Sequence, residues 1–164
     1  MNNVRRSVSA PREVELDDVD RELLRLLIQD ARTPNSTLAQ RVGIAPSTCL
    51  MRVRRLQEAG VLLGFQAVVS PEALGLQLQA IVSVRLHGHA RAQIGDVGAR
   101  LAALPGVLNV YFLAGVNDFQ LHVAARSAEE LRDLVVTHLS GSRDIASTET
   151  NLIFEHIGNG SPVV

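Results

Sequence analysis

Residues 36–60 read STLAQRVGIAPSTCLMRVRRLQEAG, and their punctuation decides the fold of the N-terminal third. Leu38, Ala39 and Val42 make the inner face of a short helix over about 36–42, with Ser36 as its cap. Gly43 comes next, where a positive φ costs little, so the helix stops there. Pro46 suits the first turn of a following helix over 46–59, and Gly60 ends it. Two helices joined by a tight glycine-containing turn make a helix-turn-helix.

The pattern extends in both directions. Upstream, Leu16, Val19, Leu23, Leu26 and Leu27 recur at three- and four-residue steps, which predicts a first helix to about Asp30. Asp17 or Asp18 caps it, and Pro34 pushes Thr33 out of the helical region beyond it. Downstream, the period changes. Residues 61–69 read as a strand that links two domains, broken by Pro71. Strands are predicted at 78–86, 107–113, 117–124 and 145–157, with helices at about 91–103 and 128–139. That βαββαβ order is the ferredoxin-like arrangement, with both helices on one face of an antiparallel sheet. The other face has no cover within the chain and carries aliphatic residues, so it is read as a surface for another subunit.

The fold class is therefore α+β. A helix-turn-helix domain of winged-helix-like type occupies 15–61, a linker strand 62–75 and a ferredoxin-like domain 76–157. Residues 1–14 read as a flexible arm and 158–164 as a flexible tail.

Charge follows the same division. The chain has 164 residues and a formal net charge of −1, and all sixteen basic residues are arginine. Residues 1–60 carry ten arginines against eight acids, and 61–164 carry six against nine. Within 31–60, Arg32, Arg41, Arg52, Arg54 and Arg55 face only Glu58. A basic patch thus lies in the small N-terminal module, beside an acidic larger half. On a helical wheel of 46–59, Cys49, Leu50, Val53 and Leu56 fall on one arc. Ser47, Thr48, Met51 and Arg55 fall opposite, with Arg52 and Arg54 at the edges.

A helix of this kind enters a DNA major groove, where its N-terminal side chains reach base edges. Ser47, Thr48, Met51 and Arg52 are the candidates for base edges, and Arg41, Arg54 and Arg55 for phosphates. The partner implied is double-stranded DNA. An enzyme has no use for such an arc, which sets this reading against its alternative. That alternative is a ferredoxin-like amino-acid-binding or catalytic domain carrying a nonfunctional helix-turn-helix.

Other chemistries find less support. The apolar runs fall well short of the roughly 20 residues that span a bilayer, so no membrane partner is expected. The start lacks the apolar segment of a secretory signal, and the single Cys49 suits a reducing cytoplasm. His87-Gly88-His89 lacks further ligands close in sequence, so no metal and no other cofactor is expected. P-loop, GxSxG and GxGxxG motifs are absent, and no catalytic residue is assigned.

The stretch from Leu16 to Gly75 resembles the Lrp/AsnC (feast/famine) family of transcription regulators. The matching pieces are Leu16-Asp17-x-x-Asp20, Asp30-Ala31-Arg32, Leu38-Ala39-x-Arg41-Val42-Gly43, Cys49-Leu50-x-Arg52-Val53-Arg54-Arg55-Leu56 and Gly60-Val61-Leu62. In the second half the resemblance rests on Leu104-Pro105-Gly106-Val107, Ala114-Gly115-Val116-Asn117-Asp118-Phe119 and Thr148-x-Thr150. It implies a homo-oligomer (a dimer, often a tetramer or octamer) and a small amino-acid effector bound where effector domains of neighbouring dimers meet. The effector candidates are Ala114, Gly115, Val116, Asn117, Asp118, Phe119, Thr148 and Thr150. From the residues alone, Asn117 and Asp118 can receive an ammonium group, or Gly115-Val116-Asn117-Asp118 is simply a hairpin turn. Three positions depart from the pattern: Ala45 where a serine cap is usual, Met51 where a polar residue is frequent, and Phe119 in place of tyrosine.

Overall fold

The computed structural model describes residues 15–157, so the arm 1–14 and the tail 158–164 lie outside the described residues. Two units meet in sequence between Ala67 and Val68, inside the expected linker.

The N-terminal unit holds α1 (Asp18–Gln29), α2 (Asn35–Val42) and α3 (Pro46–Glu58). Asp17 caps α1 by accepting the Asp20 N–H at 2.8 Å, and the Asp20 carboxylate answers by accepting the Asp17 N–H. Gly43 closes α2 at φ 72°. The cap of α2 is Pro34, not Ser36, because the helix starts one residue earlier at Asn35. Asn35 has another role: its side-chain amide donates to the Pro46 carbonyl at 2.8 Å and ties α2 to the start of α3. Leu23, Leu26, Leu27, Leu38, Ala39 and Cys49 form the core, and Leu56 is fully buried beside Cys49 on α3. Leu50, placed on the apolar arc by the wheel, is 43% exposed instead. The core is filled from the Cys49–Leu56 row, and Leu50 lies past its edge.

The second unit is a four-stranded antiparallel sheet in the order β2-β3-β1-β4, with β1 at Leu78–Leu86, β2 at Val107–Phe112, β3 at Phe119–Ala125 and β4 at Ile145–Ile153. This is the expected ferredoxin-like layout. Helix α4 (Ile94–Ala102) follows a 3₁₀ turn over Gly88–Gln93, and α5 (Ala128–Asp133) passes into a π-helical segment over Leu134–Ser140. Ala80, Val82, Val84 and Leu86 alternate on β1 and meet Phe119, Leu121, Val123 and Ala125 of β3. Val97, Leu101, Leu131, Leu134 and Leu139 cover them from the helical side.

One expectation needs correction. Residues 61–69 form no strand: their backbone has no ladder partner among the described residues, despite the apolar run. A strand needs a neighbour to bond with, and alternation alone does not supply one. The second face of the sheet carries aliphatic side chains, as expected, set among polar ones. It presents Gln79, Ser83, Arg85, Gln120, His122, Asn109, Glu149 and Asn151 along with Ile81, Ala124 and Ile153.

Candidate nucleic-acid interface and effector loop

Helix α3 presents its N-terminal half outward. Ser47, Thr48 and Met51 are exposed, Met51 at 72%. Ala45 at the cap supplies no side-chain hydrogen bond, and neither Ser47 nor Thr48 takes over that role among the described contacts. The first N–H groups of α3 are therefore left to an outside acceptor, and a helix N-terminus favours an anion. Arg41 and Arg54 are exposed and make no ion pair among the described residues. These five side chains are all solvent-facing: two hydroxyls, a thioether and two guanidinium groups.

The other two arginines sit differently. Arg52 donates through Nη1 to Asp17 Oδ2 at 2.7 Å and to Asp20 Oδ1 at 2.9 Å. Arg55 pairs through Nη2 with Asp20 Oδ2. Asp20 has no solvent exposure, whereas the Arg52 and Arg55 side chains are 28% and 51% exposed. The Asp20 backbone N–H, followed by Arg52, holds the Asp17 carboxyl below the usual carboxylate range. Hydrogen bonds from Asp17 and Asp20 raise the Arg52 guanidinium above its ordinary value. Sequence periodicity placed Arg52 at the edge of the outward arc. It did not show the two acids that turn it toward α1, and the only available signal was the Leu16-Asp17-x-x-Asp20 spacing.

In the second unit the candidate effector loop joins β2 to β3. Ala114, Gly115 and Val116 are exposed and Asn117 is half-buried. Asp118 and Phe119 turn inward. The Asp118 carboxylate accepts the Leu86 N–H at 2.8 Å and the Arg91 Nε–H at 3.1 Å, so both oxygens are engaged. That leaves it unsuited to receive an ammonium group as the sequence reading had it. The Phe119 ring is 2% exposed and stacks at a tilt on Phe112, with Gly98 of α4 leaving room for it. The family-type tyrosine hydroxyl, if present here, would start from a buried ring. Thr148 pairs in register with Val84, which pairs with Phe119, so the loop end and Thr148 share one row across the sheet. Thr148 exchanges a hydrogen bond with Ser140 at 3.1 Å, and Thr150 is exposed two residues on.

The His87 and His89 rings stack at 5.7 Å, and His89 lies 3.8 Å from Asp144. Among the described residues no three potential metal ligands come together.

Comparison with known proteins places both units. Residues 16–57 match the AsnC-type helix-turn-helix domain, and 79–163 match the Lrp/AsnC ligand binding domain. The chain belongs to the Lrp/AsnC family. Such a chain is a DNA-binding transcriptional regulator, which is how its relatives are named. The HTH-type transcriptional regulator AldR of Mycolicibacterium smegmatis is 53% identical over 94% of this chain and 92% of its own length. AldR of Mycobacterium tuberculosis is 49% identical over 99% of this chain and 92% of its own. Among solved structures, a Neisseria meningitidis regulator in complex with L-Met superposes with a TM-score of 0.82 at 27% identity, covering 91% of this chain and 97% of that one. The Lrp/AsnC match covers the exposed arc of α3 with one domain and the β2–β3 loop with the other.

Proposed function

We propose that this Lrp/AsnC regulator reads its operator with Ser47, Thr48 and Met51 and answers to a small amino acid bound at its C-terminal unit. The observation that carries the DNA half is the outward arc of α3, whose N-terminal hydroxyls and thioether are exposed, together with the exposed Arg54 of α3 and Arg41 of α2, which have no ion-pair partner among the described residues. The effector half is supported by the ligand binding domain match over 79–163 and by the L-Met complex of the Neisseria meningitidis relative. On this chain the contact surface is Ala114 to Asn117 with Thr148 and Thr150. Exposed loop amides serve the carboxylate, and the Asn117 side chain and threonine hydroxyls serve the ammonium. Asp118 and Phe119 shape the loop from beneath.

The protein works as a homo-oligomer in the cytoplasm, with paired α3 helices spaced one DNA turn apart, about 34–36 Å, or a multiple of it. Effector binding favours one arrangement of the oligomer. Which half-sites are engaged together then changes, and affinity follows through avidity. No helix among the described residues is long and apolar enough to cross a membrane. The alternative of an enzyme with an idle helix-turn-helix leaves the exposed arc without a purpose.

The test is capture of genomic fragments by the full-length protein with and without a mixture of the twenty amino acids. A defined set of fragments whose occupancy changes with the mixture is the expected result. Capture that is indifferent to sequence sinks the operator reading. A defined set that ignores the mixture, with no thermal shift from any amino acid, sinks the effector reading.

A further inference from the structure

Asp20 is the one charged side chain buried in the N-terminal unit among the described residues. Its Oδ1 accepts from Arg52, and its Oδ2 accepts from Arg55 and from the Asp17 backbone N–H at 3.3 Å. Asp17 adds a second carboxylate to the same Arg52 Nη1 at 2.7 Å. Burying a carboxylate is costly unless it is paired and hydrogen-bonded, and here each partner group is supplied. The leucines between α1 and α3 provide area but little direction, since apolar contact is non-directional. The fork of charge-assisted bonds does have direction, and it fixes how α3 is rotated and how far it slides against α1.

We propose that Asp17 and Asp20 are positioning residues for DNA recognition, holding Arg52 off the base edges and setting the pose in which Ser47, Thr48 and Met51 read them. Arg55 shares the clamp through Nη2 and keeps Nη1 and Nε, with no partner among the described residues, for a phosphate. The inference rests on the DNA-binding reading above and revises its residue roles. Arg52 is a bracket between helices, not a reader. A base-reading arginine must offer two N–H groups to one guanine. The Arg52 side chain is largely covered, and its Nη1 is already shared by two carboxylates.

The two roles leave different marks on a specificity profile. A base reader accounts for discrimination at one base pair. A positioning residue affects every position together. The experiment uses the full-length chain and a duplex that the wild type selects from a randomised library, with every single base-pair substitution of that duplex measured. Arg52→Gln is expected to weaken binding about tenfold and to scale all base-pair penalties by a common factor, a hydrogen bond to a charged group being worth on the order of one decade. Loss of discrimination at a single base pair, with the others kept, overturns the proposal.

The second readout is salt. Asp20→Asn releases Arg52 and Arg55 toward phosphates, so the slope of log affinity against log salt steepens by about one to two, at roughly 0.9 per phosphate contact. A slope equal to wild type overturns the proposal. If Asp20→Asn does not fold, the Arg52→Gln specificity profile carries the test, because Asp20 keeps its Arg55 partner in that variant. A wild type that selects no duplex overturns the parent reading as well, which separates the two failures.

Discussion

The Asp118 carboxylate accepts the backbone N–H of Leu86 at 2.8 Å, across 32 residues of sequence. Arg91 closes the same carboxylate from the 3₁₀ turn before α4, and the Asp118 N–H returns a bond to Val84. One side chain thus pins the end of the β2–β3 loop to the end of β1. Asp118→Ala removes the acceptor and leaves the Leu86 N–H buried, and a cost of about 2–3 kcal/mol is expected. Denaturant unfolding of the variant measures it. Because the loop carries the proposed effector surface, any amino-acid thermal shift should shrink in the same variant. An Asp118→Ala protein as stable as wild type would show that the clamp contributes nothing.

A row of polar groups crosses the open face of the sheet. Gln79 donates to Glu72 at 2.8 Å, so its carbonyl oxygen is left to accept the Nε2–H of His122 at 2.9 Å. His122 Nδ1 then accepts from Asn109 at 3.4 Å. With the Asn109 amide donating, the row takes a neutral imidazole, since a proton on Nδ1 would face that donor. Burial first, and the nearby His156 second, push the His122 pKa below its ordinary value. The unfolded chain takes up a proton near the ordinary histidine value of about 6.5, and the folded chain does so only at lower pH. Stability from this group is therefore present above that value and is lost as pH falls through the folded pKa. Melting curves from about pH 8 down to about pH 5 should show a steeper loss for wild type than for His122→Gln. Parallel curves would exclude His122 as the cause.

Gly106 has no substitute in the Leu104–Val107 turn. Its φ is 79°, and an added Cβ would come within 2.7 Å of the Ala124 carbonyl oxygen. Backbone on both sides holds the contact, because the Gly106 carbonyl also accepts the Ala124 N–H at 2.8 Å. Gly106→Ala should cost about 2 kcal/mol or more from the strained φ and the clash together. Gly115→Ala serves as the control, since nothing lies within 4 Å of its added Cβ, and it should be nearly neutral. Equal melting temperatures for the two variants would refute this distinction.

Cys49 is fully buried in the N-terminal unit, and desolvation raises its thiol above the ordinary value. A thiol reagent needs both thiolate and access, so modification should be slow and should track opening of the unit. Denaturant below the unfolding midpoint is expected to accelerate labelling in step with the open population. Rapid labelling of the native protein would show that the α1–α2–α3 core is looser than its packing implies.

Much of the fold was legible in the chain because the signals were local. Gly43 and Pro46 mark helix ends through their own backbone preferences, and the leucines of α1 repeat at helical steps. The βαββαβ order followed from the change between periods of two and of about 3.6. Boundaries moved slightly where local signals tie. Ser36 gave way to Pro34 as the cap of α2, and the strand read to 157 stops at Ile153. The candidate base-reading residues Ser47, Thr48 and Met51 were legible for the same reason, since a wheel needs only one helix.

What tertiary structure alone decided is the state of the charged groups. Arg52 and Arg55 meet Asp20 across 32 and 35 residues, and no spacing within α3 announces that partner. Asp118 looked like a free loop carboxylate until Leu86 and Arg91 arrived from another strand and turn. The apolar run 61–69 failed as a strand for the converse reason, since no neighbouring strand pairs with it among the described residues. Periodicity belongs to one segment and its own backbone. Ion pairs, strand pairing and burial belong to two segments, and they are settled only when the fold brings both together.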